Sequence, residues 1–308
     1  MKTKKLISVF LSSAVVACMF SGCAKKDDGR LKVICTLFPQ YDFVRQIAGD
    51  KVNLTFLLAP GVDCHTYTPD SEDMTAIEKN ALLIYTNDSM ELWVADKTKS
   101  IDITKTFVLD ASKGINLDTD MSNETLVLTG KTQPMEPHIW LYPLYAVKMV
   151  DTITAQLCVM DSKNAAFYKA NAAAYKLKLK ELDTGFKDAV KNGKRKNVIF
   201  GDRFAFYYFV KEYGLGYLAA YPSCTTVTEP SAAALARMEN AIKTGNIPVI
   251  FYREFSDQKT AKLLSEKTGA KLLLFHSCEN LTQTETNAGA TYLSLMQQNL
   301  ANLKIALS

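Results

Sequence analysis

The sequence predicts an α/β protein of two lobes, each with a mostly parallel sheet flanked by helices, joined by a long helix. Three observations predict this. Short apolar runs alternate with amphipathic segments from residue 31 to 87, as parallel strands and crossover helices do. The same alternation resumes at 196 and continues to the C-terminus. Between them, residues 144 to 192 keep a helical period and hold no strong β run.

Taken in order, LKVICTLFP (31–39) reads as a buried strand and YDFVRQIAGD (41–50) as an amphipathic helix stopped by Gly49. VNLTFLLAP (52–60) is a strand that runs into a loop. SEDMTAIEKNA (71–81) is a helix opening on a serine cap with acids in its first turn. ALLIYTN (81–87) is again a strand. A helix begins near Pro143. The Ala-, Lys- and Leu-rich stretch 164–192 fits one helix of about 40 Å. In the second half, strands are expected at 196–202, 217–222, 247–254 and 270–277. Helices are expected at 206–215, 231–245, 257–269 and 292–307. The organisation expected is a first lobe over 31–143, a helical linker over 144–195 and a second lobe over 196–308. Ligands in such sheets bind beyond the carboxyl ends of the strands.

The N-terminus is not part of this fold. Lys2, Lys4 and Lys5 precede an apolar stretch from Leu6 to about Phe20, short for a membrane span of about 20 residues. Residues 1–22 read as a secretory signal. Ser21 and Gly22 lead into Cys23, a pattern that resembles the lipobox of bacterial lipoproteins, with Phe20 where Leu is usual. Lipidation at Cys23 is the expectation. The polar run 23–30 then serves as a tether from the membrane surface.

Composition narrows the function classes. The chain has 36 basic and 32 acidic residues, and three of the lysines lie in the signal. The mature chain is therefore nearly neutral, which does not suggest a nucleic-acid partner. Outside the signal and Cys23, the cysteines are Cys35, Cys64, Cys158, Cys224 and Cys278. They are scattered with no CxxC, against a zinc finger or a dense disulfide scaffold.

The chain holds three histidines. His65 lies in APGVDCHTYTP, after the strand at 52. His138 lies in MEPHIWLYP, before the helix at Pro143. His276 ends the strand at 270. All three fall at strand ends or loops, and neutral imidazole is a favoured ligand of Zn²⁺. Packing is the alternative for each ring alone. Cys64 and Cys278, beside His65 and His276, stand as alternative thiolate donors.

Several stretches resemble the metal-binding receptors of bacterial ABC importers, of zinc and manganese type. LFPQYDFVRQIAGDKVNLTFLLAPGVDCHTYTPDSEDM resembles their first lobe, and MEPHIWLYP their DPHIWLDP segment. DSKNAAFYKANAAAYKLKLKELD resembles their linking helix. FYYFVKEYGL, TEPSAAALA, FYREFSDQKTAKLLSEKTGA and YLSLMQQNLANL resemble pieces of the second lobe. The resemblance covers nearly the whole mature chain.

It implies a stiff linking helix that restricts the lobes to small tilts, and a metal site in the cleft between them. His65 and His138 take the first and second ligand roles. The third role falls on Arg203, whose guanidinium offers no lone pair. Asp202, next to it, could ligate in its place or pair with Arg203. The fourth role falls on or beside His276. The set expected is thus His65, His138 and His276, with Asp202, another carboxylate or water completing a tetrahedron. Trp140, Tyr67, Phe206 and Tyr208 are expected as walls, and Glu229 and Glu254 as polar groups of cleft or hinge. The segment 117–137 has no histidine to collect metal.

Imidazole-rich donors favour Zn²⁺, while Mn²⁺ prefers more oxygen. The function implied is a lipid-anchored, monomeric receptor on the extracytoplasmic face of the cell membrane. It delivers a divalent ion to an ABC permease and is not an enzyme. The alternatives are a manganese receptor, an adhesin-like lipoprotein with a structural metal, and an exported zinc hydrolase, for which no HExxH signature is present.

Overall fold

The computed structural model describes residues 28–118, 136–225 and 228–308. The signal segment and Cys23 lie outside them, as does most of the histidine-free segment before His138. Residues Leu31–Ser308 form one unit.

In the first lobe, β1 (Leu31–Cys35), β2 (Val52–Phe56), β3 (Leu82–Tyr85) and β4 (Phe107–Asp110) form a sheet in the order β2-β1-β3-β4. Every pairing is parallel, with Val33 opposite both Leu54 and Leu82. Helices α1 (Phe38–Ala48), α2 (Ser71–Glu78) and α3 (Val94–Lys97) belong to this lobe. Helix α1 starts three residues earlier than its sequence suggests. Pro39 sits in its first turn, where proline's missing N–H costs no hydrogen bond. The cap of α2 is Asp70 rather than Ser71. Its carboxylate accepts the N–H groups of Glu72 and Asp73, and the Asp73 side chain returns to the Asp70 N–H.

Two helices follow, α4 (Pro143–Met160) and α5 (Ala165–Asn192). Helix α5 has 28 residues, about 42 Å of helix. It packs on α1 and α4 and also on α10 (Tyr292–Leu307), the last helix of the chain. Its buried stripe runs Tyr168, Ala172, Tyr175, Leu179, Leu182, Phe186 and Ala189, spaced three and four apart. The linking helix is therefore embedded in both halves along its length.

The second lobe repeats the first. Strands β5 (Asn197–Arg203), β6 (Gly216–Tyr221), β7 (Val249–Tyr252) and β8 (Lys271–Leu274) are parallel in the order β6-β5-β7-β8. Helices α6 (Tyr207–Glu212), α7 (Ala232–Thr244), α8 (Lys259–Thr268) and α9 (Gln283–Asn287) connect them or follow β8. In both sheets the chain first moves to one side of the opening strand and then crosses to the other. That reversal leaves a crevice at the carboxyl ends of β1 and β3, and of β5 and β7.

One apolar core runs from Val33 to Leu307 through Trp140, Tyr168, Phe186, Phe209 and Phe275, all buried. Hydrogen bonds tie the lobes across it. Trp140 Nε1 donates to Ser277 O (2.7 Å), and Tyr292 Oη donates to Trp140 O (2.5 Å). No described helix is long and apolar enough to cross a membrane.

Candidate metal centre

His65 and His138 are brought together by two loops at the carboxyl edge of the first sheet. The loop after β2 turns at Gly61, whose φ of +83° suits a residue without Cβ. It is pinned from the other lobe: Leu281 O accepts the Gly61 N–H (2.9 Å), and Asn280 Nδ2 donates to Ala59 O (2.8 Å) and Val62 O (3.0 Å). Asp63 Oδ1 then accepts the His65 N–H (3.0 Å). His138 immediately precedes the short turn Ile139–Leu141 that leads into α4. It is fully buried, with Trp140 edge-on at a centroid distance of 5.3 Å.

The two rings meet nitrogen to nitrogen, with Nε2 atoms 3.4 Å apart. Glu279 Oε1 lies 3.1 Å from His138 Nε2 and 3.5 Å from His65 Nε2. Three donor atoms thus form a triangle with edges of 3.1, 3.4 and 3.5 Å. Around a tetrahedral Zn²⁺ with bonds of about 2.0–2.1 Å, neighbouring donor atoms are about 3.3–3.4 Å apart. The donors fit that ion in chemistry and in spacing. Behind His138, Nδ1 is held by Glu136 Oε1. A carboxylate on the far nitrogen fixes the tautomer and leaves Nε2 as the ligand atom.

Glu279 is itself supported. Arg253, buried, reaches Oε1 with Nη1 (3.2 Å) and Oε2 with Nη2 (3.4 Å). Cys64 Sγ donates to Oε2 (3.4 Å). Burial alone would raise the Glu279 carboxyl; Arg253 and then His65 hold it well below the usual carboxylate range. Burial pulls the His65 imidazole down, but Glu279 and then Cys224 outweigh it and push it up to about 9. His138 is pulled down by burial and raised further by Cys224 and Glu136, to a value well above the ordinary one.

Besides that triangle, two further groups of metal-capable donors among the described residues have ligand atoms within 4.8 Å of one another: His65, His138 and Cys224, and Cys64, His65 and Glu279. Cys224 follows β6 and places Sγ 3.8 Å from His65 Nδ1. Burial pushes its thiol up, and the His138 and His65 rings bring it down to about 7.

His276, expected in the fourth ligand role, is in neither group. Its Nδ1 accepts the Cys278 N–H (2.8 Å) and its Nε2 meets Glu285 Oε1 (3.2 Å). Both ring nitrogens are engaged, and Asn299 clamps its backbone N–H and carbonyl. Asp202 is turned the same way, toward the protein. Its oxygens accept the N–H groups of Arg203 (2.7 Å) and Arg253 (3.0 Å). The Arg203 guanidinium pairs with Asp63 (3.2 Å), not with the Asp202 carboxylate. Glu254 is buried against Ser277, whose N–H it accepts, while Glu229 is exposed beside Lys259. Cys278 is buried with Sγ toward the His276 carbonyl.

Glu279 and Cys224 are metal-capable residues at the site that lie outside the expected set. Each follows a strand of the second sheet, in SCENLT after β8 and YPSC after β6. Position at the carboxyl edge was the signal that could have found them.

The family described as the periplasmic zinc-uptake complex component A matches residues 33–306. A high-affinity zinc uptake system protein ZnuA of Bacillus subtilis is 33% identical over 315 residues, covering 99% of this chain and 98% of its own. The zinc-binding lipoprotein AdcA of Streptococcus pneumoniae is 32% identical over 97% of this chain; the match spans only 60% of that longer protein. Among solved structures, the Zn(II)-bound ZnuA-like domain of that AdcA superposes with a TM-score of 0.76 at 31% identity, covering 91% of this chain and 99% of the domain. The metal-dependent lipoprotein YcdH of Bacillus subtilis superposes with a TM-score of 0.78 at 34% identity, covering 91% and 100%.

Proposed function

The chain belongs to the family of periplasmic zinc-uptake components, and from that premise we infer that it is an extracytoplasmic receptor that binds Zn²⁺ and delivers it to an ABC permease for import. Zinc is the cargo. His65 Nε2, His138 Nε2 and Glu279 Oε1 are the ligand atoms we assign. The observation that carries the assignment is their spacing of 3.1–3.5 Å, the edge lengths of a zinc tetrahedron. His276 and Asp202 are left out because their polar atoms serve hydrogen bonds within the protein.

Two of these ligands belong to the first lobe and one to the second. Metal binding therefore stabilises the arrangement in which the lobes meet, through its differential affinity for that state. Helix α5, packed on both halves, limits the movement to small tilts. Release to the permease requires separation of Glu279 from the two imidazoles. The lobes are assigned to 31–143 and 196–308 with the helical linker 144–195 between them. A lipid on Cys23, after a signal over 1–22, tethers a monomeric receptor through residues 23–30.

Calorimetric titration of the metal-stripped protein tests this. One Zn²⁺ should bind in preference to Mn²⁺, and His138→Ala should weaken it at least about tenfold, or about 1.4 kcal/mol. His276→Ala should leave it nearly unchanged. Absent metal binding overturns the receptor reading, and a preference for Mn²⁺ overturns zinc as its cargo. A large loss on His276→Ala returns His276 to the ligand set.

A further inference from the structure

We propose that Cys224 supplies the fourth zinc ligand as a thiolate, so that each lobe contributes two donors. The inference rests on the receptor reading above and extends it to a donor type that changes which metals the site selects.

A tetrahedral ion needs four donors, and His65, His138 and Glu279 are three. The fourth must lie within reach of both imidazoles. Among the described residues, a second group that contains both rings adds Cys224, with the three ligand atoms within 4.8 Å of one another. Sγ is buried and lies 3.8 Å from His65 Nδ1, the nitrogen that the ion does not take, so ligation requires Sγ to turn toward the Nε2 side of that ring. The competitors are otherwise employed. Cys64 is grouped with His65 and Glu279 but not with His138, and its thiol donates to the outer oxygen of Glu279. Arg203 has no lone pair and is drawn off by Asp63.

Charge supports the same assignment. Two neutral imidazoles, one carboxylate and one thiolate carry two negative charges, which match those of Zn²⁺. On binding, the Cys224 S–H bond breaks, its proton goes to solvent, and sulfur donates a lone pair to zinc in place of a water molecule. No electron is transferred. A thiolate is a soft donor: it favours Zn²⁺ and Cu(I) and disfavours Mn²⁺, which suits carboxylate, carbonyl and water.

The test replaces zinc with Co²⁺, whose bond to a thiolate gives an intense near-ultraviolet charge-transfer band. The metal-stripped protein should show this band at one equivalent of Co²⁺. Cys224→Ser should lose the band while still binding Co²⁺, and should bind Zn²⁺ at least about tenfold more weakly. Cys64→Ser should retain the band. Matching far-ultraviolet circular dichroism of the metal-free variants, with Cys224→Ala as a second replacement, shows that the fold is kept. Cobalt binding without the band overturns the role of Cys224 and leaves the receptor reading standing. A band that survives Cys224→Ser and vanishes in Cys64→Ser also overturns it, by moving the sulfur ligand to Cys64. Failure to bind either ion overturns both.

Discussion

Zinc affinity should fall steeply as the pH is lowered through neutrality, because protons hold the metal-free site together. His65 Nε2 and His138 Nε2 face each other at 3.4 Å with Glu279 Oε1 between them. The carboxylate favours the charged rings, and the His65 imidazole titrates at about 9. At pH 7 that ring is about two pH units below its titration point, so freeing its lone pair costs about 2.7 kcal/mol, or about a hundredfold in affinity. Each proton displaced makes affinity fall about tenfold per pH unit below the group's titration point. His65 alone therefore sets about tenfold per unit between pH 6 and 8. His138, also raised, brings the figure toward about a hundredfold. The sign follows from the direction: both rings are raised, so metal competes better as pH rises toward 9. The assay is zinc calorimetry at pH 6, 7 and 8 in buffers of different ionisation enthalpy, which counts released protons. Fewer than one proton released at pH 7, or an affinity flat across that range, refutes the reasoning.

Other perturbations separate the roles of the neighbouring residues. Glu279→Gln removes the proposed ligand and leaves the buried Arg253 guanidinium without its Glu279 partner. It should weaken zinc binding and lower the stability of the metal-free protein by about 3–5 kcal/mol, read by urea unfolding. His276→Ala should lower stability by about 2 kcal/mol or more, because it opens a cavity and strands the Cys278 N–H and Glu285; its zinc affinity should stay within about threefold of wild type, less than one ligand is worth. Between about pH 6.5 and 9 the metal-free protein should lose stability as the raised His65 gives up its proton. Thermal melts across that window should show the loss without zinc and a weaker one with it. Chelation should leave circular dichroism unchanged, since the core from Val33 to Leu307 does not depend on the ion; unfolding on chelation would mark the metal as structural.

Much of the fold was legible because it rests on period. The helix expected at 164–192 is Ala165–Asn192, and its three-and-four spacing is the face it buries. Strands β5 and β7 lie within or beside their expected spans, since buried parallel strands read as continuous apolar runs. The differences fall where one residue decides an end. The strand expected through Pro39 ends at Cys35, and Pro39 sits in the first turn of α1 instead. Ser71 reads as a cap, yet Asp70 wins because Asp73 answers it three residues on. Strand β4 was not expected at all. It is a four-residue strand at the sheet's edge, with Phe107 exposed.

The site was legible in position and not in direction. A residue following a parallel strand lies near the ligand edge, which is why His65 and His138 could be found. Where its side chain aims depends on the turn that comes next. Strand β8 ends at Leu274, and Cys278 then adopts a left-handed conformation with φ of 60°. Only after that turn does the chain present Glu279 to the rings of the first lobe, while His276 is drawn back onto the Cys278 N–H and Glu285. No glycine announces the turn, so the histidine outranked the glutamate on residue type alone. The same turn explains why the glutamate suits the role better. Glu279 carries the charge that two neutral imidazoles lack, and the adjoining Asn280 holds the His65 loop in register. The proposed ligand and the clamp that positions its partner are thus neighbours in the chain. Movement of this one segment would part Glu279 from both imidazoles and loosen the loop that carries His65.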